Sequence, residues 1–255
     1  MAYFERMDGS TYRPTDHVSG AWNTAEQHIA PALGLLVHLV EAHRDDRRDD
    51  GLSLARLSFD ILGTVGMEEF SGDVAVTRPG RTIELVEATL VQGGRPAVVL
   101  RAWLMQRADT AEVAGGDLPQ IAAPARTPAW DPTTAWPGGF IASVELRREQ
   151  ERPGRARFWV RTDVPLLADV PVSDTASTVG LFDIANGMTV REDPTRVLFP
   201  NVDLTAHLFR EPRGGWVGFD TTVTFGPDGR GITSSVVHDE DGPFGTCVQS
   251  LTVRP

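Results

Sequence analysis

The chain has 255 residues, of which 41% are hydrophobic and 23% are charged, so it can build a large core and is not intrinsically disordered. Its formal net charge of −11 repels polyanions and argues against nucleic acid as a partner. The single cysteine, Cys247, excludes an intrachain disulfide.

The first predicted helix follows an N-terminal segment without the basic-then-apolar order of a signal peptide. Asn23 or Thr24 can cap this helix, and Glu26 falls in its first turn. Apolar residues at helical spacing then follow, and these are Ile29, Leu33, Leu36 and Val40. Because the longest apolar stretch is far too short for a membrane span, we expect a cytoplasmic protein with no membrane partner.

Four predicted strands follow this helix, and a linker rich in proline and glycine comes after them. The strands cover residues 52–62, 70–77, 83–91 and 97–106. The proline and glycine residues of 108–139 exclude a helix or a central strand there. Trp130 and Trp136 would be large apolar groups in water if the linker were fully exposed, so we expect it to be partly packed.

The second half repeats the order of the first. Ser173, Asp174 or Thr175 can cap a helix that reaches about Met188. The predicted strands after it cover residues 197–209, 216–225, 231–239 and 246–253. A long helix followed by antiparallel strands, twice at an offset of roughly 145 residues, indicates an internal duplication and an α+β fold. The predicted division is an N-terminal repeat over 1–107, the linker over 108–139 and a C-terminal repeat over 140–255.

Gln249 has the most informative position in the last predicted strand. Strand alternation places it on the same face as Cys247, Leu251 and Val253, which is the more apolar face. A buried amide without partners costs on the order of 1–3 kcal/mol, so this side chain should be hydrogen-bonded. A purely structural glutamine and a functional one are both compatible with the pattern.

Other kinds of site find little support in the sequence. His28, His38 and His43 do not share a helix face, and the lone cysteine gives no metal-ligand spacing, so we predict no metal and no cofactor. A Gly-x-Ser-x-Gly elbow is absent, which argues against a serine hydrolase. The arginine-rich segments 44–48 and 147–157 are solvated faces or candidate contacts for phosphate groups.

Residues 181–188 read Leu-Phe-Asp-Ile-Ala-Asn-Gly-Met, and Asn201-Val202-Asp203 and Gln249 follow them. In this order they resemble the acid, the small polar residue and the terminal glutamine of the double-hotdog acyl-CoA thioesterases of the thioesterase II type. Segments 4–15 and 239–253 resemble the first and last hairpins of that family. The resemblance implies a double hotdog, in which two tandem repeats of a long helix are wrapped by one continuous antiparallel sheet.

The resemblance also implies a reaction, the hydrolysis of acyl-CoA thioesters to a free acid and coenzyme A. Asp183 would deprotonate a water held by Asn201 and Gln249. Alone, an aspartate in a helix is most often a solvated surface charge. The Asn186-Gly187 pair predicts a helix stop that places Asp183 in the last turn, where the negative helix end raises its pKa. The implied substrate contacts are Phe182, Asn186, Gly187 and Met188.

Asn201 departs from the family pattern, because the best-known members carry threonine or serine at this position. An amide can hold a water or donate to a carbonyl oxygen, but it offers no hydroxyl. An alternative is therefore a catalytically weak or idle fatty-acyl or acyl-CoA binding protein of the same fold. A hotdog lyase of the enoyl-CoA hydratase type is less well supported, because its Gly-Asp-x-Asn-Pro-like segment is absent.

The predicted strand around Thr205 and His207 raises the question of assembly. These two residues alternate with apolar residues, namely Leu204, Ala206 and Leu208. The result is a mixed outer face that a second copy of the chain could cover. The sequence therefore leaves open a homo-oligomer in addition to the acyl-CoA partner.

Overall fold

The computed structural model describes residues 1–255 and contains one antiparallel sheet of twelve strands. The strands of the first half are β1 (Phe4–Asp8), β2 (Thr11–Pro14), β3 (Ser53–Ile61), β4 (Phe70–Arg78), β5 (Ile83–Gln92) and β6 (Arg95–Met105). Those of the second half are β7 (Val144–Arg152), β8 (Arg155–Thr162), β9 (Asp203–Leu208), β10 (Val217–Phe225), β11 (Arg230–Asp239) and β12 (Gly242–Thr252). The helices are α1 (Ile29–Arg47), α2 (Gly139–Ala142), α3 (Asp174–Val179) and α4 (Ala185–Met188). Single 3₁₀ turns lie at Asp16–Val18, Ala111–Val113, Pro124–Arg126, Pro132–Thr134 and Phe182–Ile184.

The two halves of the sheet have the same topology. Read outward from the centre, each half places its third strand first, followed by its sixth, fifth, fourth, second and first strands. The full order is β1-β2-β4-β5-β6-β3-β9-β12-β11-β10-β8-β7. The two halves join where β3 pairs with β9 in antiparallel register, from Arg56 opposite His207 to Asp60 opposite Asp203. Each strand of the first half thus has a counterpart in the second, which confirms the internal duplication.

The first helix begins later than the sequence predicts. The N–H groups of Gln27 and His28 donate to Val65 O and Val18 O, so residues 23–28 are committed to bonds outside a helix. The helix α1 starts at Ile29, and His28 caps it. The predicted start at residues 23–24 is therefore wrong, because local capping residues were overridden by long-range backbone pairing.

The second helix is interrupted, so the single helix predicted from 173–175 to 188 is also wrong. Ser173 caps α3 as predicted, since its Oγ accepts from the N–H of Ala176 at 3.0 Å. The chain then turns at Gly180, where α1 and α3 pack backbone against backbone. A Cβ added at Gly34 of α1 would lie 2.7 Å from Ala176 O and 2.8 Å from the Cα of Gly180. The 3₁₀ turn Phe182–Ile184 and the short α4 follow.

Most predicted strands are found within a few residues of their expected limits, and the differences lie in the second half. The strand predicted over 197–209 contains only β9, preceded by isolated bridges that join Leu198 to Arg254 and Asn201 to Leu251. The sequence did not predict β7 and β8. Six of the nine residues of β7 are charged, and β7 is an edge strand, where charged side chains are common.

The helices and the linker lie against different parts of the sheet. Helix α1 packs against β4, β5 and β6 and against α3, and one hydrophobic core runs through both halves. The linker packs on the second half, where Trp159 Nε1 donates to Ala122 O at 2.8 Å and His238 Nε2 lies 2.8 Å from Pro119 O. Trp136 is buried, so the linker is partly packed as predicted. No helix in the structure is both long and apolar enough to cross a membrane.

Candidate active site

Asp183 lies in the 3₁₀ turn between α3 and α4 and is 7% exposed. Its neighbours Phe182 and Ile184 are fully buried. The ring of Phe182 packs between Phe219 at 6.0 Å and Phe244 at 6.2 Å. These two apolar side chains fix the turn in the core, and the carboxylate of Asp183 is therefore buried, which is rare for an aspartate.

Two amides bind one oxygen of this carboxylate. Asp183 Oδ1 accepts hydrogen bonds from Asn201 Nδ2 at 2.6 Å and from Gln249 Nε2 at 2.9 Å. The second hydrogen of Asn201 Nδ2 goes to Asp203 O at 3.1 Å. Asp183 Oδ2 accepts no hydrogen bond from the protein and is not enclosed. The structure thus brings the three residues together and leaves one carboxylate oxygen free.

Burial raises the pKa of Asp183 to about 7, and the hydrogen bonds from Asn201 and Gln249 partly oppose that rise because they stabilise the charged form. The sequence attributes a raised pKa to the negative end of a helix. The structure gives a different cause, since the main effect is loss of contact with water. A carboxyl group with this pKa changes protonation near neutral pH.

Gln249 occupies the position that strand alternation predicts. In β12 Cys247, Gln249 and Leu251 are buried, whereas Ser250 between them is exposed. Gln249 is 1% exposed, and its Nε2 has Asp183 as its partner. Its Oε1 is enclosed without a hydrogen-bond partner in the protein. The amide therefore has one group bound to the carboxylate and one acceptor free.

A cavity of about 560 Å³ opens beside Asp183 and is lined by residues of both halves. Asp183, Asn186 and Asn201 come from the second half. Gln27 and His28, in the segment that leads into α1, come from the first half. No functional role was predicted from the sequence for these two residues.

His28 lines this cavity and carries a neutral N–H donor. Its Nδ1 accepts from the N–H of Ala30 at 3.2 Å, so the ring proton belongs on Nε2. The ring lies 4.3 Å from that of Phe140, and burial lowers the pKa of His28 to about 3. Neither His28 Nε2 nor the N–H of Ile29, the first residue of α1, has a partner in the protein. Two neighbouring residues at the start of a long helix, His28 and Ile29, thus line the cavity and each have an unused N–H donor.

The four residues predicted to contact substrate lie in different places. Asn186 lines the main cavity and also a smaller one of about 20 Å³, which Gly187 and Met188 line as well. Phe182 lines neither of these cavities. The helix ends at Met188, close to the stop predicted at Asn186-Gly187. Asp183 does not lie in its last turn as predicted, because it belongs to the 3₁₀ turn before α4. Asn186 accepts from the N–H of Gly187 at 2.7 Å.

The arginine-rich segments predicted as candidate phosphate contacts lie outside the main cavity. Arg47 and Arg48 pair with the buried Glu84, and Arg155 pairs with Asp220. The arginine that does line the cavity is Arg254, which follows β12 and takes part in no salt bridge within the chain. The sequence did not single it out.

Family models divide the chain between two domains of one kind of enzyme. The model of the acyl-CoA thioesterase C-terminal domain matches residues 116–253, and that of the N-terminal domain matches residues 18–105. The chain belongs to the acyl-CoA thioesterase family. This confirms the resemblance stated for the sequence.

Solved structures show the fold of this thioesterase family member. A protein with a hot dog fold from Alicyclobacillus acidocaldarius is 14% identical with a TM-score of 0.77, over 98% of this chain and 95% of that one. The acyl-CoA thioesterase II TesB2 from Mycobacterium marinum is 15% identical with a TM-score of 0.70, over 98% and 95% of the two chains. A comparison with curated proteins gives no match. The predicted α+β double hotdog is confirmed.

Proposed function

We propose that this thioesterase family member hydrolyses acyl-CoA thioesters to a free acid and coenzyme A, with Asp183 as general base. The observation that supports this most directly is the buried carboxylate at the cavity. Two amides hold one oxygen, and the other is free. A base with a pKa of about 7 can take a proton from water and return it within one reaction cycle.

The attacking water is held by acceptors. Both hydrogens of the Asn201 amide are already used, one by Asp183 and one by Asp203 O. Asn201 therefore acts through its carbonyl oxygen, which accepts one proton of the water while Asp183 Oδ2 accepts the other. This arrangement replaces the hydroxyl of other family members with an acceptor and requires no change in the reaction.

The reaction forms a C–O and an S–H bond and breaks the C–S bond and one O–H bond of water. The water oxygen attacks the thioester carbonyl carbon, and its proton moves to Asp183. The negative charge on the carbonyl oxygen is stabilised by the Nε2–H of His28 and the N–H of Ile29. The C–S bond then breaks, and Asp183 gives its proton to the leaving sulfur. The products are the acid and the free thiol of coenzyme A.

Arg254 is the proposed contact for the negatively charged part of coenzyme A. It is the arginine among the cavity-lining residues, and no carboxylate of the chain pairs with it. Since the protein carries a net charge of −11, a polyanionic substrate needs such a local cation.

The test is an acyl-CoA panel with detection of the free thiol. Asp183→Asn should reduce hydrolysis at least about a hundredfold, because it removes the general base. The new side-chain oxygen can accept the same two hydrogen bonds, so the variant should fold, as circular dichroism would verify. Hydrolysis at the parental rate by this variant would refute the role of Asp183.

The second candidate is an acyl-CoA binding protein without turnover, which the missing hydroxyl at Asn201 favours. It predicts that calorimetry detects acyl-CoA binding while no thiol is released from any member of the panel. Because His28 and Asp183 line the same cavity, hydration of an enoyl-CoA should be assayed in parallel. Product from that assay alone would favour the lyase.

A further inference from the structure

A second, smaller cavity adjoins the main one. The two share Ala21, Trp22, His28 and Asn186 as common lining. The main cavity is bordered by exposed apolar residues, including Leu62 and Val202. The small cavity therefore adjoins the cavity that Asp183 lines, through the walls that the two have in common.

The residues that close the small cavity are buried and apolar. Besides the shared residues it is lined by Trp136, Ile141, Ile184, Gly187 and Met188. The four large side chains of this set are each 4% exposed or less. Its volume of about 20 Å³ is little more than one water molecule needs. This space adjoins the main cavity that holds Asp183, and it has room for little of an acyl chain.

Trp136 is the largest of these residues and is held firmly. Its Nε1 donates to Gly187 O at 2.9 Å. Its ring meets Trp22 edge-on at 4.8 Å and Phe199 at 6.1 Å. The residue lies in the segment between β6 and β7, so a stretch outside the strands of the sheet supplies this wall of the small cavity.

We propose that Trp136 limits the length of the acyl group, so that the enzyme favours acyl chains of about two to four carbons. The inference rests on the proposed function for the position of the thioester. The small cavity, which Met188 of α4 also lines, is the proposed acyl chamber. Longer chains require the indole ring to move and to lose its hydrogen bond to Gly187 O.

The first experiment measures kcat/KM for acetyl-CoA, butanoyl-CoA, octanoyl-CoA and dodecanoyl-CoA. The parent enzyme should lose at least about tenfold between butanoyl and octanoyl, because each unaccommodated methylene costs that order of selectivity. Trp136→Phe and Met188→Ala enlarge the chamber from two different elements. Each should raise the octanoyl-to-butanoyl ratio about tenfold or more.

Trp130→Phe is the matched control, since it makes the same change in the same linker. Trp130 lines neither cavity, and its ring lies under the guanidinium of Arg148 at 4.1 Å. The control should keep the parental chain-length profile. A parent that hydrolyses dodecanoyl-CoA as well as butanoyl-CoA would overturn the inference. So would an unchanged profile in both chamber variants.

A binding experiment separates this inference from the proposed function. Calorimetry with S-ethyl-, S-butyl-, S-octyl- and S-dodecyl-coenzyme A, which cannot be hydrolysed, reports the chamber alone. A parental preference for the short thioethers that shifts to longer ones in Trp136→Phe and Met188→Ala supports the inference, even if no thioester is hydrolysed. No binding of any thioether, or affinity independent of chain length, overturns it.

Discussion

The proposed role of Asp183 as a general base depends on its burial, which disfavours the charged carboxylate and raises its pKa. Its pKa of about 7 lies well above the ordinary 3.8, a difference worth roughly 4 kcal/mol at neutral pH. A raised carboxyl pKa means that the folded state binds the proton more tightly than the unfolded state. The free energy of unfolding therefore falls as the pH rises from about 4 to about 7. The folded state therefore becomes less stable as the pH approaches the range in which Asp183 is ionised and can act as a base.

Activity should rise with pH through a midpoint near 7, because only the ionised form of Asp183 accepts a proton. The bond from Gln249 Nε2 stabilises that ionised form. Gln249→Ala should therefore move the midpoint of log kcat/KM upward and lower the free energy of unfolding by about 1 kcal/mol. Pre-steady-state or steady-state thiol release across pH 5 to about 9 measures the shift.

Ser250→Ala is the control for Gln249→Ala. Ser250 is the next residue of β12 but faces the solvent, so its loss should leave the midpoint in place. An unshifted profile in Gln249→Ala would mean that the amide does not stabilise the carboxylate during catalysis.

His28 has two proposed roles, as the cap of α1 through Nδ1 and as a donor in catalysis through Nε2, and two substitutions at this residue can separate them. The oxygen of an asparagine side chain can take the place of Nδ1, which accepts from the N–H of Ala30. The amide nitrogen of a glutamine can take the place of Nε2. His28→Asn should thus keep the cap and lose less stability than His28→Gln, although both lose the ring packed on Phe140, but it should lower kcat on the order of a hundredfold. His28→Gln should lower the melting temperature and keep more of kcat.

Thermal unfolding and kcat, measured on both variants, test this crossed expectation. Parallel loss of stability and activity in the two variants would show that His28 is only a structural cap. A lower kcat in His28→Asn than in His28→Gln, together with a higher melting temperature, is the result that a structural role does not give.

At the scale of elements, local patterns predicted strands better than helix limits. Alternation placed the buried face of β12 correctly, because a strand's period of two is enforced by its two neighbours. The start of α1 was not predictable from caps, since Val18 and Val65 take the N–H groups of Gln27 and His28. The break after α3 depends on the contact between Gly34 and Gly180, which only the folded chain contains.

The candidate site divides in the same way. The order of Asp183, Asn201 and Gln249 was readable because it follows a family pattern along the chain. The contributions of His28 and Trp136 were not, because they reach the cavity through packing between the halves and through the linker. The sequence around such residues shows no pattern that would mark them as part of a site.

At the scale of the whole molecule, the join between the halves is the feature that organises the site. Pairing of β3 with β9 makes one sheet from two repeats. Residues 20–23, 26–29 and 61–65 of the first half line the same cavity as Asp183. The order of the sheet leaves β1 and β7 as its two edges. Charged residues such as Arg6 and Glu149 on these edge strands disfavour edge-to-edge pairing.

The face of the sheet remains as the surface for self-association. In β9 Leu204, Ala206 and Leu208 are buried, whereas His207 is exposed on the other face. The linker covers the sheet farther along, at Trp159 and His238, so the centre of the outer face is left open. We expect this face, around the join of β3 and β9, to support a homodimer.

Light scattering over a range of concentrations measures this assembly. His207→Glu should shift the molecule toward monomer, because it places two like charges near the symmetry axis of the expected interface. Ser10→Glu adds the same charge in the exposed turn between β1 and β2, at the far edge of the sheet, and should leave the mass unchanged. A parent that is monomeric at every accessible concentration would refute the dimer. The double-hotdog fold would stand, since its two repeats already pair within one chain.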